Sequence, residues 1–153
     1  MQLRPITGFV IGPECMITPE DGGSAVVATE VELLGTVPYG QPLLELLRRY
    51  DAVVVPSLSD EQPRIVFDAF SQGVPILGSD TAGLRSCVEN GETGLLTTPG
   101  DVDALAGVLR YALAHREELA RLGMASLTVA RSMTHQEMHR KRAVLLREMF
   151  QSI

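Results

Sequence analysis

Apolar residues in this chain fall into short continuous runs separated by stretches with helical spacing. Ala52 to Val55 is a Val-rich run stopped by Pro56, the pattern of a strand buried on both faces. A polar loop, Ser57 to Gln62, leads to Pro63, which suits a first helical position because its missing N–H has no intrahelical partner there. Ile65, Val66, Ala69 and Phe70 share one helical face, and Gly73 is a natural stop. Val74 to Leu77 reads as the next strand, left through the small-residue loop Gly78-Ser79-Asp80-Thr81-Ala82-Gly83. Strand, helix and strand at this length predict a parallel crossover, and ligands of such sheets gather beyond the carboxyl ends of the strands.

The flanks extend the pattern. Residues 6 to 12 form a short apolar run with strand character, followed by loop signals at Gly12-Pro13 and over 19–24. Ala25 to Leu34 is β-branched and alternating, one or two strands, the second ending at Gly35. Pro42 can open a helix with Leu43, Leu46, Leu47 and Tyr50 on one face. Downstream, Arg85 to Asn90 predicts a short helix closed by Gly91, and Gly94 to Thr97 a last strand. Asp101 is placed to cap a helix with Val102, Leu105, Leu109 and Leu113 inward. Glu117 to Arg131 is another helix. Thr134 and Glu137 form a capping box for a final one, whose apolar face carries Met138, Leu145 and Met149, joined by Phe150. The sum is an α/β fold: a doubly wound, Rossmann-like parallel sheet in a single domain spanning 1–153.

Composition narrows the class. The 153 residues are 45% hydrophobic and 21% charged, as in a soluble globular domain. A net charge of −6 argues against a nucleic-acid surface. No apolar run reaches the length of a membrane span, and Met1 to Pro5 does not begin a signal peptide. Cys15 and Cys87 are too few for a disulfide framework or zinc site, so a reduced, cytoplasmic setting is expected. His135 and His139 lie four apart, the spacing of a metal pair, but without a third ligand they read as an exposed polar face. His139-Arg140-Lys141-Arg142 is either a solvated basic turn or a peripheral contact to an anionic membrane surface.

Several ordered motifs between residues 31 and 150 together resemble the donor-binding half of GT-B glycosyltransferases, the large retaining group often called family 4. Pro56-Ser57, Asp68-Ala69 in place of Glu-Ala, and Gly73-Val74-Pro75 match the family's central pattern, and counting back puts Asp60 at its first Glu. Val31-Glu32-Leu33-Leu34-Gly35 resembles its Val-x-Phe-x-Gly strand. Glu89-Asn90-Gly91-Glu92-Thr93-Gly94 and Pro99-Gly100-Asp101 with Ala104-Leu105-Ala106 follow its later segments.

The resemblance implies a nucleoside-diphosphate-sugar donor, retaining transfer, and neither a cofactor nor an obligatory metal. It implies that Asp68 meets the ribose, with a shorter reach than Glu; a solvated acid near a helix start is the plain alternative. Asp60 matches the Glu that contacts donor-sugar hydroxyls, and Glu61 offers the longer side chain one residue on. Backbone N–H groups at Arg64, Ile65 and Val66 would face the diphosphate, with Arg64 as the nearest cation. Ala82 and Gly83 stand where the family has Gly-Gly, letting backbone approach a ligand closely.

The front departs from the family. Met1 to Val31 holds no Gly-Arg loop or Lys-Gly helix start and Lys141 is the sole lysine, so the chain is expected to be either a fragment, without the acceptor domain, or a reduced protein that has lost part of the site. Donor-type binding is therefore expected to be weak and transfer by the isolated chain absent, a separate acceptor-binding domain being the implied partner. A non-catalytic nucleotide-sugar-binding module is the alternative, with a sugar-nucleotide epimerase a more distant fit. The ligand cleft is expected between the loops after strands ending near Gly35, Pro56 and Ser79. Phe9-Val10-Ile11 is expected to lie beside Val53-Val54-Val55, or else a homodimer covers that edge.

Overall fold

The computed structural model describes residues 8–11, 31–59 and 63–151. Two compact units divide at Leu43 and Leu44. In the first, β1 (Gly8–Ile11) runs parallel to β2 (Val31–Gly35), with Gly8 opposite Val31 and an irregularity between Val10 and Ile11. The Phe9-Val10-Ile11 run therefore finds its partner in β2. The expected pairing with Val53-Val54-Val55 is absent among the described residues, where β3 (Val53–Val55) bonds only to β4 (Ile76–Ser79). The β-branched segment before Gly35 thus supplies the ladder along one edge of β1. Residues 12–30, with Cys15 and the possible first strand near Ala25, lie outside the described residues. Helix α1 (Gln41–Leu47) spans the boundary of the units, burying Leu43 and Leu47 as its spacing predicts.

The second unit is built on a parallel three-stranded sheet ordered β3-β4-β5, with β5 at Gly94–Thr97. Val55 pairs with Gly78 and Ser79 with Thr97, so the three carboxyl ends emerge together. β4 is buried throughout, and its side chains alternate between two clusters. Ile76 packs with Val55, Val66, Ala69, Phe70, Leu84 and Val88 beneath α2 (Arg64–Ser71). Leu77 packs with Ala112, Leu119 and Leu122 beneath α4 (Val102–Ala114) and α5 (Arg116–Ser132). Helices thus cover both faces of β4, whereas β3, expected to be buried on both faces, buries Val55 and leaves Val54 exposed.

Local chemistry sets the joints. Gly73 closes α2 at φ +72° and Gly91 turns the chain before β5 at φ +82°, conformations that side chains with a Cβ resist. The strand expected over Val74–Leu77 begins later. The Val74 N–H still bonds back to the Ala69 carbonyl at 3.0 Å, and Pro75 offers the ladder only its carbonyl, which accepts from Val53. Asp101 caps α4 as expected, accepting from the Ala104 N–H at 2.8 Å. Val102, expected inward, is exposed, because Ala112 with half-buried Leu105, Leu109 and Leu113 makes the packed face.

Arg121 of α5 ties the turn before β5 to the helix. Its guanidinium donates to Glu118, Glu92 and the Gly91 carbonyl, and the two carboxylates, Glu118 foremost, raise its pKa further above the usual arginine value. Helix α6 (His135–Gln151) starts with half of the expected capping box. The Glu137 N–H reaches Thr134 Oγ1 at 3.3 Å, while its carboxylate turns forward to Arg140. The apolar face expected to bury Met138, Leu145, Met149 and Phe150 is exposed.

Candidate functional site

The carboxyl ends of β3, β4 and β5 carry three loops side by side. At β4 the exit is tightly determined. The Asp80 N–H donates to the Thr97 carbonyl at 2.6 Å, and Thr97 Oγ1 donates to the Gly78 carbonyl at 3.4 Å, locking the last residues of β4 to β5. Gly78 has no room for a side chain: a methyl there would sit 2.8 Å from the Val55 carbonyl oxygen and 3.1 Å from Leu84. The loop after β5 turns at Gly100, φ +79°, close beside Leu58 of the loop after β3.

The segment expected as an open loop through Gly83, followed by a helix over Arg85–Asn90, folds differently. Thr81 is an N-cap whose hydroxyl accepts from the Leu84 N–H at 3.3 Å, so Ala82 and Gly83 form the first turn of α3 (Ala82–Arg85). The chain then leaves it in a turn, the Cys87 and Val88 N–H groups bonding back to the Leu84 carbonyl at 2.9 and 2.7 Å. The hydroxyl before Ala-Gly-Leu was the sequence signal for this earlier start. Arg85 reaches back across the cap to Asp80: Nε to Oδ1 at 2.7 Å, Nη2 to Oδ2 at 2.9 Å and Nη2 to the Asp80 carbonyl at 3.0 Å. These bonds hold the Asp80 carboxyl below its usual pKa. Sequence reasoning did not single out Arg85, and its spacing of five from an acid across a capping Thr is the signal that could have done so.

At α2 the outcome is mixed. Asp60 and Glu61 lie outside the described residues. Pro63 stands one place earlier than expected, as an extended N-cap (φ −75°, ψ 106°) that has no side-chain acceptor for the helix. Arg64 is exposed in the first turn, and Ile65 is half-buried against the core. Val66 departs from the expected role. Its side chain is fully buried, and its N–H, expected to face a ligand, donates to the Pro63 carbonyl at 3.0 Å. A tight first turn consumes that donor. Asp68 lies in the second turn, half-buried, with its carbonyl accepting from Ser71. The structure thus brings Arg64 and Asp68 onto the helix that leaves β3, and Ala82 and Gly83 onto the helix that leaves β4. Among the described residues no three His, Cys, Asp or Glu side chains gather as a metal set.

Residues 10–115 match the family described as glycosyl transferases group 1. The chain belongs to that family. It is 33% identical over 88 residues to the D-inositol 3-phosphate glycosyltransferase of Nocardia farcinica, 58% of this chain and 20% of that enzyme. Among solved structures, sucrose-phosphate synthase from Thermosynechococcus elongatus superposes with a TM-score of 0.70 at 24% identity, covering 82% of this chain and 32% of that one. Anabaena HepE in complex with UDP gives 0.65 at 23% identity, covering 81% and 33%. This group 1 glycosyltransferase chain therefore has the fold of a GT-B donor-binding domain. It matches about a fifth of the curated relative's length and about a third of the solved ones.

Proposed function

We propose that this group 1 chain binds a nucleoside-diphosphate sugar at the carboxyl ends of β3 and β4 and serves as the donor side of a retaining glycosyl transfer. The observation that carries the reading is the β3-α2-β4 crossover. It puts the start of α2, with Arg64 and Asp68, and the Ala82–Gly83 turn at the same end of one parallel sheet. The HepE structures with UDP and with UDP-glucose, which share this fold, support it.

In this reading Asp68 accepts from the ribose, and Asp60 or Glu61 from the sugar hydroxyls. Backbone N–H groups at Arg64 and Ile65 with the Arg64 cation face the diphosphate, while the Ala82–Gly83 backbone lets the donor approach closely. In transfer, the bond from the anomeric carbon to the diphosphate breaks and leaves its electron pair on the phosphate oxygen. The acceptor hydroxyl oxygen bonds to the same face, and its proton passes to the departing diphosphate. Charge grows on that leaving group, so preorganised N–H donors and cations set the rate. The reaction needs no metal or further cofactor, and it needs an acceptor-binding surface opposite this sheet end.

Binding without transfer is the second reading. It is favoured by the Asp80–Arg85 pair, which already neutralises the cation of the β4 loop, and by the engaged Val66 N–H. Calorimetric titration with uridine and guanosine diphosphates tests the shared element. Saturable binding of either supports both readings, and sugar release from a UDP- or GDP-sugar on acceptor addition separates them. No binding of any nucleoside diphosphate up to millimolar concentration would overturn the assignment.

A further inference from the structure

We propose that the Asp80–Arg85 ion pair is a latch opened by the donor's diphosphate: Arg85 grips the phosphates, and Asp80 competes with them for its guanidinium. The inference rests on the donor reading of this sheet end and adds to it a cation and a competitor. Asp80 follows Ser79, the last residue of the central strand β4, and its N–H is fixed on the Thr97 carbonyl at 2.6 Å. Arg85 Nη2 donates to the Asp80 carbonyl at 3.0 Å, so the guanidinium stands over the carboxyl end of that strand. Ligands of parallel sheets gather there. The side chains of Arg85 and Asp80 are 64% and 41% exposed, open to an arriving anion.

The pair has the geometry of phosphate recognition. Nε meets Oδ1 at 2.7 Å and Nη2 meets Oδ2 at 2.9 Å, a planar fork on two oxygens. A phosphate group presents two oxygens to the same fork, so the Asp80 carboxylate holds the face of Arg85 that a diphosphate would take. The fold does not depend on this contact. Thr81 already caps α3, and the Arg85 and Ser86 N–H groups donate to the Thr81 and Ala82 carbonyls at 2.9 and 3.1 Å. Leu84, fully buried, anchors the turn from within. An ion pair this open to water adds little to stability, so exchanging its acid for another anion costs little.

Local charge favours the exchange. Among the described residues of the loops and first helical turns at this end of the β3-β4-β5 sheet, the cations are Arg64 and Arg85 and the acids are Asp80, Asp101 and Asp103. Asp101 is engaged in capping α4. While Arg85 is paired with Asp80, an arriving diphosphate meets only Arg64 as an available positive charge there. Turning Arg85 onto the phosphates supplies a second, with the directed N–H groups that a leaving diphosphate needs. Asp80, shed from the pair, is exposed enough for water to solvate its charge.

The test is calorimetric titration of the parent and three variants with uridine and guanosine diphosphates. Asp80→Asn should tighten binding about two- to fivefold, the range set by an exposed ion pair. Arg85→Gln should weaken it on the order of tenfold. Asp103→Asn removes an acid from the same sheet end without touching the pair, and should change affinity by less than about twofold. Equal gains from Asp80→Asn and Asp103→Asn would show a general charge effect and overturn the latch. So would unchanged or weaker binding by Asp80→Asn, or full affinity in Arg85→Gln, and in each case the donor reading stands. Binding by neither the parent nor Asp80→Asn would overturn the donor reading and the latch with it. In the parent, the Arg85 Nε proton resonance, assigned by its loss in Arg85→Gln, should shift as the diphosphate saturates. A resonance that stays in place at saturation overturns the latch without reliance on the Asp80 variant.

Discussion

Ser126 of α5 donates its hydroxyl toward the carbonyl oxygen of Thr93, 2.9 Å away and 33 residues earlier in the chain. The Ser126 hydroxyl also lies 2.9 Å from the Leu122 carbonyl oxygen, one turn back in its own helix. Ser126 is fully buried, and Thr93 sits immediately before β5, so this contact fastens α5 to the entry of the sheet. We expect Ser126→Ala to destabilise the fold by about 1–3 kcal/mol, because the Thr93 carbonyl is left buried without its good partner. Urea unfolding measures this; a change below about 0.5 kcal/mol would mean that water, or the Ile76 N–H that already reaches the Thr93 carbonyl at 3.5 Å, satisfies that oxygen without the hydroxyl.

A second close approach involves backbone alone. Gly123 on α5 faces Gly73 at the exit of α2, and a methyl group at 123 would run into the Gly73 carbonyl oxygen. Gly123→Ala should therefore lower stability by about 1–3 kcal/mol, against the usual gain from replacing a helical glycine. Gly107, exposed in α4 with open space around it, is the control: Gly107→Ala should stabilise by about 0.5–1 kcal/mol. Opposite shifts in the urea midpoint distinguish the two sites; the same sign at both would refute the packing account.

The Asp80–Arg85 pair makes stability depend on pH in one direction. Its carboxyl has a lowered pKa in the folded state, first through the arginine hydrogen bonds. A lowered folded value gives a contribution that is complete above the unfolded value of about 3.9 and fades as pH falls through the folded one. The pair is open to solvent, so the effect is small and salt-screened. The difference in thermal midpoint between parent and Asp80→Asn should be present at pH 7 and shrink toward zero on acidification below about pH 4. A difference that grows on acidification would show the sign to be wrong.

Asp68 separates binding from folding. Under the proposed function, Asp68→Ala should reduce affinity for uridine or guanosine diphosphate by about 1.5–3 kcal/mol, the range for a hydrogen bond to a charged group. Asp68→Glu, which restores the family's longer reach, should bind at least as tightly as the parent. Calorimetry on the folded variants decides. Equal affinity in parent and alanine variant, with measurable parent binding, would remove the ribose role.

The local patterns of this chain carried most of its architecture. The Val-rich run at 53–55, the short apolar run at 94–97, the apolar face of Ile65, Val66, Ala69 and Phe70, and the stops at Gly73 and Gly91 were legible because periodicity and left-handed backbone are properties of neighbours in sequence. The ordered motifs from Pro56-Ser57 to Pro99-Gly100-Asp101 likewise placed the family. Contacts between distant residues were not legible. That Phe9-Val10-Ile11 pairs with Val31–Gly35 depends on which ladder closes, and apolar strands of equal length look alike before it does. Whether Arg85 caps a loop or pairs with Asp80 depended on where α3 begins, which Thr81 decides through one hydroxyl. The stripe on α6 has the spacing of a buried face and is nevertheless open, because amphipathic spacing marks a surface to be covered and leaves its cover to the rest of the assembly.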